Sequence, residues 1–279
     1  MLKQTIGEKY LRFPSFKQKA VTFSYDDGVI YDKTLIEKMV RYGFKGTFNL
    51  NSGMIGTGKN KRLDWDEALK LYLDNQMEVA IHGENHYFPN AIAPSVAMKE
   101  FYSDRACLEE KTGGIVRGMA YAHGRFNDDV ISILKLLGVV YGRTVYSTHS
   151  FDLPTDWLKW NPTCHHTDPE LNNILSRFLS AEPNWSYLKN PLLLYVWGHS
   201  YEFNNDNNWE LFDKIGETIG GRDDVYYATN IEIYEYVKAY ESLIFSADCS
   251  IIKNPTDKDV YMLLGGREIL VKANETIKI

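Results

Sequence analysis

Strand-like and helix-like stretches alternate along most of this chain, and that alternation constrains its fold more than any other feature. Short apolar runs fall at 21–25, 46–50, 77–81, 115–121, 139–146, 191–197 and 225–228. Between them, apolar residues recur at helical spacing over 32–42, 64–75, 94–111, 127–137, 170–181, 208–219 and 231–240. Short apolar runs bounded by turn residues read as buried strands, and a three-to-four residue period reads as one face of a helix. The punctuation agrees. Gly43 and Gly138 stop two helices, Gly220-Gly221 stops another, and Asp64 stands as an N-cap before Glu67. Strand and helix in regular succession call for parallel strands joined by helical crossovers. About seven such units suit an α/β barrel better than an open sheet, and in such barrels chemistry gathers at the C-terminal ends of the strands.

Composition changes after Glu241. Runs at 243–252, 260–264 and 268–273 read as strands, and Gly265-Gly266 between two of them is a hairpin signal. The expected organisation is a barrel over 1–241 and a small C-terminal antiparallel β appendage over 242–279. Residues 1–17 read as an irregular lead-in, and 147–169 as a long irregular segment carrying His149, His165 and His166. The chain is 44% hydrophobic over 279 residues, enough for a sizeable core. Its net charge of −6, with no basic cluster, gives no footprint for nucleic acid or an anionic membrane. Cys107, Cys164 and Cys249 are few, odd in number and far apart, unlike a disulfide framework or a Cys-rich zinc site. Residues 1–19 carry charges every few positions and no apolar centre, and no window has the length of apolar residues a span needs. The expected location is cytoplasmic, with no membrane partner.

The chemistry-bearing residues stand at predicted strand ends. Ala20-Val21-Thr22-Phe23 leads into Ser24-Tyr25-Asp26-Asp27-Gly28. Two adjacent carboxylates repel each other, and a bound cation is an economical way to keep both ionised. The run ending at Ile81 delivers His82-Gly83-Glu84-Asn85-His86. Histidines four apart lie one helical turn from each other and can present both imidazoles to one point. Two imidazoles and a carboxylate are a common zinc ligand set that leaves a position open for water. A later apolar run, Leu194-Tyr195-Val196-Trp197, ends in Gly198-His199. Cys164-His165-His166 is a tempting cluster, but neighbouring side chains on an extended segment point opposite ways. One of the two histidines at most is expected to face the substrate.

In these residues the sequence resembles the metal-dependent polysaccharide deacetylases, carbohydrate esterase family 4, over roughly 18–240. Ser24-Tyr25-Asp26-Asp27-Gly28 is similar to the family's T-F-D-D-G motif. His82-Gly83-Glu84-Asn85-His86 matches its H-[ST]-x-x-H motif in both histidines, and Trp197-Gly198-His199 resembles its late L-x-H motif. The resemblance implies an irregular (β/α) barrel, Asp26 as general base, Asp27, His82 and His86 as metal ligands, and His199 as general acid. The stretch Asp152 to Trp157 resembles a D-x-x-D-W motif longer by one residue, which leaves Asp152 and Asp156 as alternative supports for the acid.

The clearest departure is at Ala120-Tyr121-Ala122-His123-Gly124, where the family has R-x-P-Y before a glycine. His123 stands at the tyrosine position, whose backbone N–H helps form an oxyanion hole; a backbone donor survives a change of side chain. The missing arginine needs a replacement. Arg143, on the next predicted strand, has the forked guanidinium to hold Asp26, with Arg117 and Arg125 as competitors.

The resemblance implies a hydrolytic deacetylase acting on an N-acetyl or O-acetyl group of a carbohydrate, with metal-bound water as nucleophile. The implied cofactor is a divalent metal, Zn²⁺ first, with Co²⁺, Ni²⁺ or Mn²⁺ as alternatives. A base and an acid of opposed protonation imply a bell-shaped pH dependence, with its acidic limb on Asp26 or the water and its basic limb on His199 or the water. Rival readings are an amidohydrolase of a small non-sugar amide or imide, and a catalytically inactive carbohydrate-binding homologue. Nothing in the sequence speaks to oligomeric state.

Overall fold

The computed structural model describes residues 8–181 and 190–279. Its largest sheet is parallel throughout and runs in the order β6-β5-β4-β3-β2-β8-β7, with β9 also on β2. The strands are β1 Lys9–Arg12, β2 Lys19–Asp26, β3 Gly46–Leu50, β4 Glu78–Ile81, β5 Gly118–Ala120, β6 Tyr141–Arg143, β7 Cys164–His165, β8 Leu192–Gly198 and β9 Val225–Tyr227, of which β1 lies outside this sheet. β2 is central and every residue of it is buried. β8 pairs along its whole length on one side. β9 takes its first half, at Lys19 to Val21, and β3 its second, at Phe23 to Asp26. A strand buried on both faces reads as a continuous apolar run, which is why β2 and β8 were legible.

The ends of the sheet are joined by one stretch of chain. Trp160 forms a parallel bridge to Arg143 on β6, and four residues later Cys164 begins pairing with β8. The arrangement is the expected irregular (β/α) barrel. The crossover helices are α1 Asp32–Arg41, α2 Trp65–Asp74, α3 Pro94–Thr112, α4 Asp128–Leu136 and α5 Leu171–Ser180, followed by α6 Ser200–Asn205, α7 Glu210–Ile219 and α8 Asn230–Glu241. Asp64 caps α2 by accepting from Glu67 N, as its spacing predicts. The six-residue α6 and the two-residue β7 were not expected, because neither is long enough to show a period. Strands β5 and β6 are shorter than the apolar runs that hold them.

The lead-in is not irregular throughout, though its first seven residues lie outside those described. β1 pairs antiparallel with β12 (Val260–Leu264), which pairs in turn with β13 (Arg267–Val271). The hairpin between them turns on Gly265-Gly266, both at positive φ. A second small sheet joins β10 (Ile244–Phe245), β11 (Ile251–Lys253) and β14 (Thr276–Lys278). The C-terminal strands are therefore antiparallel, as expected, but form two sheets, one completed by the N-terminus. Their shared core of Ile252, Val260, Met262 and Val271 packs on Ala239 of α8. Among the described residues no helix is long and apolar enough to cross a membrane, and Cys107, Cys164 and Cys249 are free.

Candidate metal and acid–base site

β2 delivers Asp26 to the C-terminal end of the barrel, fully buried. Across the β2–β3 register it faces Asn49, whose Nδ2 donates to Asp26 Oδ1 at 2.8 Å. Arg143, wholly buried at the end of β6, donates to Asp26 Oδ2. Arg143 thus makes the contact to Asp26 that the sequence reading asked of it, whereas Arg117 pairs with Glu235 at 2.5 Å. Burial works against an ionised Asp26, but Arg143, His82 and His199 outweigh it and hold the carboxyl down at about 2.

Asp27 follows with its backbone left-handed at φ 88°. His86 and His123 share this conformation, at φ 59° and 56°. Each such non-glycine residue costs on the order of 1–3 kcal/mol, and such residues collect at functional sites. All three face one cavity. Burial opposes charge on Asp27, and His82, Arg62 and His199 oppose burial more strongly, so its carboxyl is lowered. Arg62 contacts Asp27 Oδ1 at 3.1 Å and also donates to the Asp27 carbonyl.

His82 and His86 converge without a helix. β4 ends at Ile81, Gly83 turns the chain at φ 86°, and the two Nε2 atoms come to 3.2 Å. The one-turn-of-helix geometry expected from the spacing is replaced by a strand-to-loop turn. Asp104 on α3 holds that turn, accepting from His82 N at 2.9 Å, Gly83 N at 2.8 Å and Ser52 N at 2.8 Å. His82 Nδ1 lies 2.9 Å from Ala120 O. A carbonyl only accepts, so Nδ1 carries the hydrogen and Nε2 presents its lone pair to the site.

The ligand atoms of Asp27, His82 and His86 lie within 4.8 Å of one another. Burial keeps both imidazoles neutral, with His86 pushed down to about 4, and neutral imidazole is the ligating form. Bonds of about 2.0–2.1 Å in a tetrahedral zinc site put neighbouring ligands about 3.3 Å apart, close to the His82–His86 separation. The donor set therefore fits a divalent ion of the zinc class.

His199 lies at the N-cap of α6, its Nε2 3.9 Å from Asp26 Oδ2. Its carboxylate partner is neither Asp152 nor Asp156, which corrects the sequence expectation. Asp152 accepts from Ser150 Oγ at 2.5 Å, and Asp156 caps the short turn at 157–159. The partner is Glu202, with Oε1 3.2 Å from His199 Nδ1 and Oε2 accepting from His199 N at 3.0 Å. Burial would strip the proton from His199, but Glu202 and Asp26 outweigh it and raise the imidazole above its ordinary value. The His199-to-Glu202 spacing is that of a capping box, a signal present in the sequence. His165 and His166 also both reach Glu202, contrary to expectation, because the strand ends at His165 and the chain turns. Arg62, in a glycine-rich loop without periodicity, had no signal.

Asp26, Asp27, His82, His86, Trp197 and His199 line a cavity of about 420 Å³, completed by Tyr121, His123, Gly124, Val145 and Tyr201. His123 stacks on Phe88, ring centroids 3.8 Å apart, and closes over His86.

This barrel, with paired carboxylates after β2 and paired histidines after β4, matches a known family model described as polysaccharide deacetylase. The match covers residues 14–142. The sequence resemblance is borne out there, and the matched region contains Asp26, Asp27, His82, His86 and His123 but ends before Arg143 and His199. Among solved structures, peptidoglycan deacetylase PdaC from Bacillus subtilis is 16% identical over 81% of this chain and 94% of its own, with a TM-score of 0.51. A carbohydrate esterase family 4 pseudoenzyme from Bacillus anthracis is 17% identical over 80% of this chain and 67% of its own, also at 0.51. At these identities the likeness speaks to the polysaccharide deacetylase fold. A Streptococcus pyogenes deacetylase solved with acetate is 22% identical, but only 44% of this chain aligns, over 55% of that protein, with a TM-score of 0.43. No curated protein matches the chain.

Proposed function

We propose that this protein is a metal-dependent hydrolytic deacetylase acting on an N-acetyl or O-acetyl group of a carbohydrate. The observation that carries the reading is the pair Asp26 and His199, 3.9 Å apart in one cavity with their pKa values pushed in opposite directions, beside the convergent side chains of Asp27, His82 and His86. The match to the family model supports it, since polysaccharide deacetylases generally use a divalent metal. Asp27, His82 and His86 would hold that metal, and when bound it would supply Lewis-acid polarisation of the acetyl carbonyl and acidify water.

The chain's own groups do the rest. Asp26, ionised and oriented by Arg143 and Asn49, takes a proton at Oδ2 from the attacking water. Placing that oxygen between Arg143, His82 and His199 keeps it pointed into the cavity. His199 donates a proton to the departing amine or alkoxide, and Glu202 on its Nδ1 keeps Nε2 directed at the substrate. His123 lines the cavity, and on this reading its backbone N–H would stabilise the developing oxyanion. Trp197 and Tyr201 offer faces for the apolar side of a sugar ring.

The test is acetate release from N- and O-acetylated sugars by chelator-stripped protein, with and without Zn²⁺ or Co²⁺. Metal-dependent release is expected, and Asp26→Asn should lower kcat by about 10² to 10⁴ with metal still bound. Release from small non-sugar amides alone would favour the amidohydrolase. Sugar binding without turnover in metal-loaded protein would favour an inactive homologue.

A further inference from the structure

Three imidazoles crowd the carboxylate of Glu202, and the proposed chemistry uses only that of His199. Glu202 Oε1 faces His199. Its other oxygen, Oε2, lies 3.1 Å from His165 Nε2 and 3.4 Å from His166 Nε2. We infer that His165, His166 and Glu202 form a second divalent-cation site of the zinc class, placed against the acid side of the candidate active site. The inference rests on the reading above only in treating Asp27, His82 and His86 as the first site.

The spacing is that of ligands. A tetrahedral zinc centre with bonds of about 2.0–2.1 Å sets its ligand atoms about 3.3 Å apart. Both contacts to Oε2 fall near that value, and all three ligand atoms lie within 4.8 Å of one another. A hydrogen-bonded network accounts for His165 but not for His166. His166 is completely buried, yet neither of its ring nitrogens has a hydrogen-bond partner among the described residues. Leaving a buried polar atom unsatisfied costs about 1–3 kcal/mol. A cation between the His166 imidazole and the Glu202 carboxylate would turn both into ligands.

The ring of His166 is also held in place. Phe203 stacks on it with centroids 4.0 Å apart. A Cβ at position 198 would stand 1.9 Å from His166 Nδ1, so only glycine fits beneath the ring. His165 is oriented by Thr167, whose backbone N–H donates to Nδ1 at 3.2 Å and whose Oγ1 lies 2.8 Å from it; Nε2 then carries the hydrogen, which a metal would displace on binding. An ion has a way in, because the side chains of His165 and Glu202 are 20% and 27% exposed.

The test counts ions. Full-length protein is stripped with chelator, reloaded with Zn²⁺ or Co²⁺, desalted and analysed for metal, with the visible Co²⁺ spectrum recorded in parallel. About two ions per chain are expected in wild type. His165→Ala and the gentler His165→Gln should each lose one ion and one set of Co²⁺ bands, with melting curves confirming that both are folded. One ion in wild type, retained in both His165 variants, would overturn the second site and leave the deacetylase reading intact. One ion lost in the His165 variants but none lost in Asp27→Asn would support the second site while removing the first.

Discussion

At the scale of single residues, the site pushes the pKa values of two neighbouring groups in opposite directions. Arg143, with help from His82 and His199, keeps Asp26 at about 2 against the effect of burial, so Asp26 is ionised across the neutral range. The acidic limb of a pH–rate profile is therefore not expected to report its titration, which revises the sequence-based assignment. His199 must be protonated to donate. Its raised value means that the acid survives above the ordinary imidazole pKa and is lost as pH rises through the raised one. Glu202 is the first partner opposing burial. Glu202→Gln removes its charge and should move the basic limb of kcat/KM to lower pH, by about one unit, the usual effect of losing an opposite charge at this range. A profile whose basic limb stays in place would show that Glu202 does not keep the proton on His199.

At the scale of elements, the histidine turn depends on a helix that carries no ligand. Asp104 on α3 accepts three backbone N–H groups from the loop after β3 and the end of β4. Asp104→Leu buries those donors without a partner. It should destabilise the fold by on the order of 3 kcal/mol, read from urea unfolding, and loosen metal binding as the His82-Gly83 turn relaxes. Asp104→Asn keeps one acceptor oxygen and should lose less. Burial pushes the Asp104 carboxyl up to about 7. The folded state thus binds this proton more tightly than the unfolded chain, and the group's contribution to stability is greatest below about pH 4, the ordinary carboxyl value, and falls as pH rises through about 7. In Asp104→Asn that part of the pH dependence should vanish. An unchanged unfolding curve for Asp104→Leu would mean that the turn stands without it.

At the scale of the whole molecule, the two chain ends are tied together. β1 completes the sheet of β12 and β13, and Tyr236 of α8 donates to Arg12 O at 2.7 Å. Phe13, completely buried, stacks on Tyr226 with centroids 5.8 Å apart. It joins the barrel wall to the appended sheets. Phe13→Ala should cost about 3–5 kcal/mol, as truncating a buried phenylalanine does. Urea unfolding measures the loss, and a change below about 1 kcal/mol, the scale of a surface substitution, would mean that the N-terminal segment is merely draped on the surface.

The sequence by itself determined the barrel, because its strands are buried on both faces and its helices on one, and both patterns survive in the order of the residues. It determined which carboxylates and histidines end those strands, since Asp26, Asp27, His82 and His199 each follow an apolar run. The pairing of Arg143 with Asp26 was reachable too, since an arginine on a neighbouring parallel strand end can fork onto a carboxylate. The partner of His199 was locally recorded, since Glu202 follows it at a capping-box spacing, whereas tertiary structure alone decided the approach of Arg62 to Asp27 and the support of His82 by Asp104. The last two contacts join elements distant in sequence, or lie in turns without periodicity, and no local pattern records them. The convergence of His165 and His166 on Glu202 is of the same kind. An extended chain would send the two rings apart, and only the strand's ending at His165, with Gly198 leaving room beneath the His166 ring, brings both to one carboxylate.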